Sequence, residues 1–302
     1  MVAKAYARRG NPPALSRSAL DRAASRRVDE AYLGMAWADP ASRAFVVDDG
    51  LVLVDDSRNP PELVLDAPSR LPSGERLFLG EADGIAYFAV AAPLPQPPPG
   101  ARPLGLRDVG AVLDDRQAGL LTHAVAVANW HASHRRCPRC GGETRGVAGG
   151  SIRRCPADAS EHFPRVDPAV IMLVHDGDDR VVLGRAPSWP AGRFSILAGF
   201  VEPGESLEQA VAREVAEEVG LAVTDIRYLG SQPWPFPSSL MLGFTARAAY
   251  GDLRPDPAEL AEAYWFRRQD IRDGKADTPP AVSIAHWLLH RWLEAGNDVE
   301  FA

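Results

Sequence analysis

The stretch that decides the fold is residues 199–221, which read GFVEPGESLEQAVAREVAEEVGL. Ser206, followed three residues later by Gln209, is a capping-box signature, and Gly220 occupies the position of a helix C-terminal glycine. Between them an apolar residue recurs at every fourth position, which is the spacing of one buried helix face. These residues are Leu207, Val211, Val215 and Val219. The pattern predicts an amphipathic helix over residues 207–219.

A second face of this predicted helix is crowded with negative charge. Glu214, Glu217 and Glu218 are related by i,i+3 and i,i+4 spacing, which costs about 0.2–0.5 kcal/mol per pair of like charges in an isolated helix. A hard divalent cation would turn that repulsion into a binding site, because Mg²⁺ and Mn²⁺ prefer oxygen ligands. Considered alone, a glutamate-rich helix face is more often simply solvated. The residues around it must therefore decide between the two interpretations.

The surrounding residues resemble a known family. The stretch fits G-x5-E-x7-R-E-U-x-E-E-x-G-U, with U a bulky apolar residue, at every fixed position. Those positions are Gly199, Glu205, Arg213, Glu214, Val215, Glu217, Glu218, Gly220 and Leu221. The pattern is the Nudix box, and the resemblance implies a hydrolase that binds metal ions against a pyrophosphate linked to a second moiety.

The resemblance also implies a role for each residue of the box. The implied ligands of Mg²⁺ or Mn²⁺ are helix carboxylates and the backbone carbonyl just before the box: Glu214, Glu218, Glu217 and Ala198. Arg213 is expected to orient a glutamate, and Glu205 to brace the loop against the helix. Bound metal ions neutralise diphosphate charge and can make a water molecule nucleophilic near neutral pH.

Residues 231–241, SQPWPFPSSLM, bear on the substrate. Three prolines alternating with Trp and Phe predict a stiff loop that presents aromatic faces to a flat heterocycle. Composition alone is equally compatible with a proline-rich ligand or a hydrophobic plug. The order of residues, however, resembles the S-Q-P-W-P-F-P-x-S motif of the NADH pyrophosphatase subfamily, and the likeness covers residues 105–295 well. The implied dinucleotide-binding residues are Gln232, Pro233, Trp234, Pro235, Phe236, Pro237, Ser238 and Ser239.

Four further positions match the subfamily more loosely. Glu259 resembles a metal-binding glutamate contributed from outside the box, and Ala285 a backbone contact to substrate. Phe163 corresponds to an aromatic substrate contact, and Arg107 to a residue that reaches a substrate phosphate. Glu259, Ala285 and Phe163, considered without the resemblance, each fit a core or turn position better than a site.

The cysteines form one cluster. Cys137 and Cys140 are spaced C-x2-C, and Cys155 follows fifteen residues later, which resembles the zinc ribbon of the same subfamily. A complete structural zinc site has four ligands, but the fourth position here is Asp158 instead of cysteine. Asp158 could supply an oxygen, His162 could supply a nitrogen, or the segment could have lost zinc. Any zinc bound here is expected to be structural.

Composition limits the remaining possibilities. The 302 residues carry a net charge of −7, which argues against a broad electrostatic grip on nucleic acid. We find no apolar run of about 18 residues, as a membrane helix requires, and no secretory signal at the N-terminus. A cytoplasmic protein without membrane contact is therefore expected.

The order of strand-like and helix-like segments along the chain predicts an α+β protein. We expect a β-rich N-terminal domain with a proline-rich linker at 1–104, a connecting helix at 105–135, a zinc-ribbon-like segment at 136–165 and a Nudix α/β/α sandwich at 166–302. Residues 1–30 show no sustained apolar period, so they are expected to be poorly ordered or loosely docked. A strand is predicted at 194–197, a short strand at 226–229 and a closing helix at 284–294.

The resemblance implies the activity. It predicts cleavage of NADH or NAD⁺ to nicotinamide mononucleotide and AMP, removal of NAD caps from RNA 5′ ends by breakage of the same bond, and a homodimer. A broader pyrophosphatase for ADP-ribose or nucleotide sugars is the alternative enzyme. A zinc-ribbon binding module with an inactive Nudix domain is the alternative outside catalysis.

Overall fold

A computed structural model describes residues 12–18 and 20–295. The chain divides into two compact units: residues 1–166 with 234–238, and residues 167–233 with 239–302. No helix in the described part of the chain combines the length and the apolar character that a membrane crossing requires.

Within its described residues, the first unit contains three small sheets and three helices. Its helices are α1 (Glu30–Ala38), α2 (Leu106–Val109) and α3 (Asp115–Ser133). Its strands are β1 (Arg43–Val47), β2 (Leu51–Asp55), β3 (Glu62–Leu63), β4 (Glu75–Ala82), β5 (Ile85–Ala91), β6 (Ala101–Gly105), β7 (Arg145–Val147), β8 (Ile152–Arg154) and β9 (Glu161–His162). The sheet orders are β1-β5-β4, β3-β2-β6 and β7-β8-β9. Short 3-10 turns lie at Ala14–Ser16, Pro68–Arg70 and Ala148–Gly150.

The start of the described chain corrects one prediction. Leu15 is buried, and the Arg17 guanidinium donates to the carbonyl oxygens of Gly110 and Leu113. Gly119 of α3 has no side chain, and a Cβ there would lie 2.8 Å from the Cα of Ser18, so this segment packs directly on the helix. The expectation of a loose start is therefore wrong for the described residues between 12 and 30, and residues 1–11 lie outside them.

In the second unit, the residues up to 295 form one six-stranded sheet with helices on both faces. Its strands are β10 (Asp167–His175), β11 (Arg180–Arg185), β12 (Leu197–Phe200), β13 (Val223–Trp234, whose last residue belongs to the first unit), β14 (Ser239–Ala248) and β15 (Glu262–Arg267). The order is β13-β14-β10-β11-β15, with β12 paired to β10. The helices are α4 (Leu207–Val219), α5 (Arg268–Arg272) and α6 (Ile284–Glu294).

Alternation along β10 separates two cores. Val170, Met172 and Val174 point into a cluster with the apolar face of α4, whereas Ile171 and Leu173 point into a cluster with α6. Successive strand side chains face opposite sides of a sheet, so one buried strand serves both helices. The unit is therefore the predicted α/β/α sandwich, and β10 and β14 pair in parallel at its centre.

Two predicted strands differ from those observed. Phe194 and Ile196 are buried but lie before β12, which starts at Leu197, because this loop packs on the α6 side without continuing the ladder. The strand predicted at 226–229 extends over Val223–Trp234, since its pairing with β14 carries it into the proline-rich stretch.

Candidate active site

Helix α4 forms as its sequence predicts. Ser206 and Gln209 make a reciprocal capping box, and Gly220 ends the helix in the left-handed conformation at φ 71°. The apolar residues of one face pack into the core below the sheet. This register fixes where the glutamates point: Glu214 and Glu218, one turn apart, are both buried, whereas Glu217 is exposed.

The loop after β14 carries Glu259, whose carboxylate lies near those of Glu214 and Glu218. The backbone N–H groups of Arg254 and Asp256 donate to the carbonyl oxygens of Val219 and Glu218. These two oxygens lie in the last turn of α4, where a helix offers carbonyls no partner of its own. Farther along the same loop, Leu260 anchors the chain in the core.

Three carboxylates consequently converge. Oxygen atoms of Glu214, Glu218 and Glu259 all lie within 4.8 Å of one another. Hard oxygen donors at this spacing suit a divalent cation. Glu217 is not part of this group, so its predicted place among the metal ligands stays a prediction.

Arg213 joins the box residues into one network. Its Nε and Nη2 donate to the two carboxylate oxygens of Glu205, at 2.6 and 3.0 Å. Its Nη1 donates to Glu214 at 2.9 Å and to Glu217 at 2.8 Å, and Nη2 also reaches the carbonyl of Phe200 at 2.9 Å. Glu205 additionally accepts from a backbone N–H of its own loop. Arg213 thus contacts three glutamates and Glu205 bonds to its own loop, and the functions predicted for the two residues stay predictions.

The backbone just before the box lies against the carboxylates. A Cβ at Gly199 would lie 1.9 Å from the Glu214 carboxyl carbon, so only glycine leaves room for that side chain. Ala198 pairs with Ile171 of β10 and is exposed. Glycine at 199 is therefore needed for close approach of strand and helix, which explains its place in the box.

The charges of Glu214, Glu218 and Glu259 are not fully balanced by nearby positive charge, and two of the three carboxyl groups have raised pKa values. Burial, followed by the charges of Glu214 and Glu259, raises the pKa of the Glu218 carboxyl to about 8, against a hydrogen bond from the Ala198 backbone that lowers it. Burial also raises the pKa of Glu214, although Arg213 opposes the change. The cluster is thus unfavourable when fully ionised, and a cation would relieve both causes.

The tip of the aromatic–proline loop, residues 234–238, is held within the first unit. The Trp234 and Phe236 rings meet edge to face, with centroids 4.9 Å apart. The Arg107 guanidinium lies over both, 4.2 Å from the Phe236 centroid and 5.5 Å from that of Trp234. Asn129 Nδ2 donates to the Pro235 carbonyl at 3.0 Å. Asn129 carries no motif, so sequence reasoning did not identify it.

The other predicted substrate residues occupy varied positions. Gln232 is completely buried and donates to the Val282 carbonyl at 3.1 Å, next to the start of α6. Ala285 is buried in the first turn of α6, whereas Phe163 is 64% exposed. Pro237 is exposed, and the remaining loop residues are half-buried: Pro233, Ser238 and Ser239. Substrate contacts by these residues stay predictions.

The cysteines form a second, separate cluster. The Sγ atoms of Cys140 and Cys155 are 3.5 Å apart, and Cys137 Sγ lies 3.5 Å from Asp158 Oδ2. The four ligand atoms lie within 4.8 Å of one another. Ligands of one tetrahedral zinc ion, at about 2.0–2.3 Å from it, are roughly 3.3–3.8 Å apart, so this set fits zinc.

The structure distinguishes between the two candidates for the fourth position. Asp158 belongs to the cluster, whereas His162 Nε2 contacts Ser160 Oγ at 3.1 Å. Ser160 in turn donates to Asp158 Oδ1 at 2.6 Å. Hydrogen bonds from Ser160, from the Cys140 and Arg139 backbone and from His162 lower the pKa of Cys137 to about 6 against the effect of burial, which favours the thiolate that binds metal. Ser160 was not identified from the sequence.

A pocket of about 510 Å³ lies elsewhere in the first unit. Its lining includes Trp37, Arg76, Phe88, Gly149 and Gly150. It contains none of the predicted site residues.

Comparisons with known proteins agree with this organisation. The family model of the NUDIX domain matches residues 165–288. A "NADH pyrophosphatase-like rudimentary NUDIX domain" matches residues 41–130, and the "NADH pyrophosphatase zinc ribbon domain" matches residues 132–163. A Nudix domain implies a divalent metal ion, and a zinc ribbon implies zinc.

Relatives extend the match along the chain. The NAD-capped RNA hydrolase NudC of Mycobacterium bovis (strain BCG / Pasteur 1173P2) is 41% identical over 93% of this chain and 94% of its own length. The protein of the same name from Stutzerimonas stutzeri (strain A1501) is 42% identical over 74% of this chain and 79% of its own. A solved Nudix hydrolase from Nitrosomonas europaea shares 27% identity at a TM-score of 0.46, over 55% of this chain and 93% of that one. Because the mycobacterial relative is 41% identical over nearly the full length of both chains, and the three family models match successive segments, the chain belongs to the NADH pyrophosphatase family of Nudix hydrolases.

Proposed function

We propose that this chain hydrolyses the pyrophosphate bond of NADH and NAD⁺. A water oxygen bonds to one phosphorus, the bond from that phosphorus to the bridging oxygen breaks, and nicotinamide mononucleotide and AMP leave. The observation that carries the proposal is that Glu259, from a loop, converges with Glu214 and Glu218 of the helix in an intact Nudix box.

Mg²⁺ or Mn²⁺ would be held by the converging carboxylates. Glu214, Glu218 and Glu259 offer oxygen ligands, and we assign the Ala198 carbonyl and Glu217 to the same ions from the family pattern. Such an ion would neutralise diphosphate charge and activate a water molecule.

Arg213 prepares this site. It forms a bidentate pair with Glu205 and donates to Glu214, so the carboxylate direction is set before a cation arrives. Its charge also offsets part of the repulsion between glutamates.

Substrate selection is assigned to the aromatic–proline loop. Trp234 and Phe236 are half-buried rings supported by Arg107, and aromatic faces of this kind suit stacking on a nicotinamide or adenine ring. We assign contacts with the dinucleotide to Gln232 through Ser239, to Phe163 and Ala285, and a phosphate contact to Arg107, on the family pattern.

We assign zinc to Cys137, Cys140, Cys155 and Asp158. Their atoms are spaced for one tetrahedral ion, and four protein ligands leave no open position for chemistry. The assigned function is structural, because the four ligands join two turns whose facing cysteines, Cys140 and Cys155, are fifteen residues apart in the sequence.

Removal of NAD caps from RNA is the second candidate activity. The M. bovis and S. stutzeri relatives are named NAD-capped RNA hydrolases, and the reaction breaks the same bond. The net charge of −7 favours recognition of the capped end over tight binding of a long strand. A homodimer and a cytoplasmic location stay predictions from the sequence.

The test is incubation of purified protein with NADH, NAD⁺ and ADP-ribose in separate reactions, with Mg²⁺ or Mn²⁺, and chromatography of the products. We expect equimolar mononucleotide and AMP from NADH or NAD⁺, and much slower cleavage of ADP-ribose. Faster cleavage of ADP-ribose would support the broader pyrophosphatase. Absence of any hydrolysis, with Glu218→Gln indistinguishable from the native chain, would support the binding module.

A further inference from the structure

Helix α3 holds the tip of the aromatic–proline loop by a hydrogen bond to the carbonyl of Pro235. Asn129 lies in the last turns of α3, and its Nδ2 donates to this oxygen at 3.0 Å across 106 residues of sequence. Pro235 is buried and Asn129 is half-buried, so water competes only partly for the bond. The contact lies wholly within the first unit.

The position of this carbonyl matters because the loop has few backbone donors. Proline has no N–H group, and Pro233, Pro235 and Pro237 alternate with the two aromatic residues. The Phe236 N–H turns inward to the Trp234 carbonyl at 2.7 Å. Orientation of the tip therefore depends strongly on side chains from outside the loop.

The Pro235 peptide lies between the two rings in the chain. Its carbonyl is part of the peptide group that joins Pro235 to Phe236, so rotation of this group would move the Phe236 ring relative to Trp234 and disturb their edge-to-face contact. Arg107 covers the ring faces, but a cation–π contact tolerates lateral sliding, whereas a hydrogen bond weakens steeply with angle. Of these two supports, Asn129 is the one that fixes direction.

We propose that Asn129 is a positioning residue that orients Trp234 and Phe236 for the dinucleotide. It acts through the Pro235 carbonyl and does not touch the reacting atoms. The inference rests on the proposed hydrolysis of NADH, but it also predicts dinucleotide binding in the absence of turnover.

The test compares Asn129→Asp, which keeps the shape and loses the donor, with Asn129→Ala and with Asn129→Gln, which keeps an amide donor. Loss of one hydrogen bond predicts a rise of about 3–10-fold in KM for NADH. The kcat should stay within about two-fold, because the carboxylates of α4 are untouched. Asn129→Gln should recover part of the loss. Ser133→Ala, which removes an exposed hydroxyl bonded to the Asn129 backbone, is the matched control and should resemble the native chain.

A second measurement separates this inference from the proposed function. In a Glu218→Gln background, calorimetry with NAD⁺ should show the same fold-increase in Kd for Asn129→Asp. If the native chain fails to cleave NADH while this increase is found, the proposed function is wrong and the positioning assignment stands. If the native chain cleaves NADH while KM and Kd are unchanged in Asn129→Asp and Asn129→Ala, the assignment is wrong. A fall in kcat at constant KM, or an equal change in Ser133→Ala, would also overturn it.

Discussion

The carboxylate cluster of the second unit and the thiol cluster of the first unit are assembled by different means. Glu214 and Glu218 come from one helix, and their partner Glu259 arrives forty-one residues later on a loop. Cys137 and Cys140 come from one tight turn, and Cys155 and Asp158 from another, each with x2 spacing. Both clusters gather ligand atoms within 4.8 Å, but only the second has four of them from side chains.

The difference in completeness corresponds to a difference in purpose. Four donors can close a tetrahedral shell around zinc, which suits a permanent structural ion. Three carboxylates leave positions of an octahedral shell for water and substrate phosphates. Burial, followed by the charges of Glu214 and Glu259, raises the pKa of Glu218 to about 8. An incomplete, strained cluster suits chemistry, whereas a complete and hydrogen-bonded one suits architecture.

The sharpest way to break this comparison is Glu218→Gln. Loss of one group that organises transition-state charge predicts a fall in kcat for NADH of at least about 10²–10³-fold. Zinc content should not change, because the thiol cluster is chemically separate. Steady-state kinetics and elemental analysis measure the two effects on the same sample. Glu208→Gln, at an exposed position of the same helix, is the control. Retention of more than about a tenth of the native kcat would contradict the assignment of Glu218.

Asp158→Ala tests the other cluster. Removal of one of four ligands should reduce zinc from about one ion per chain to below about 0.2 after dialysis, and should lower Tm, because structural zinc contributes directly to folding. Asp158→Cys should retain zinc. His162→Ala should have a smaller effect, since this ring contacts Ser160 and lies outside the ligand set. An equal loss of zinc in His162→Ala and Asp158→Ala would show that the ligand assignment is wrong.

The smallest expected effect is a pH dependence of stability in the absence of Mg²⁺ and Mn²⁺. The folded-state pKa of Glu218 is raised to about 8 from 4.5, so the native state binds more protons between these values. Stability should therefore fall as the pH rises through this window. Thermal unfolding without chelator, so that zinc stays bound, should give a lower Tm at about pH 8.5 than at about pH 5.5.

Glu218→Gln isolates the contribution of the Glu218 carboxyl to this pH dependence. Glu218→Gln should weaken that pH dependence, because it removes a buried charge and its repulsion by Glu214 and Glu259. It should raise Tm at the alkaline end by about 2–4 °C for each kcal/mol of penalty removed. Glu208→Gln should behave like the native chain. If Glu218→Gln and the native chain show the same difference in Tm between the two pH values, the raised pKa does not contribute to stability.

Local pattern predicted α4 from end to end, and it also placed the glutamates on one helix. The capping box, the terminal glycine and the four-residue apolar period are all short-range signals, so the helix bounds and its buried face could be read directly. The strand at Val223–Trp234 was underestimated, because its length depends on a partner strand that is distant in sequence. Helix α1 and strand β15 lacked a comparably clear local signal and were not predicted.

The sequence by itself determined the chemistry of both clusters: hard oxygen donors on a helix, and sulfur donors at ribbon spacing. Tertiary structure decided which residues complete them. It brought Glu259 to α4 through backbone bonds to the last helix carbonyls, placed the Asp158 carboxylate within 4.8 Å of the three thiols, and laid Arg107 across Trp234 and Phe236. The physical reason is that helix and turn geometry fix neighbours three or four residues apart, whereas contacts between distant residues depend on the packing of whole elements.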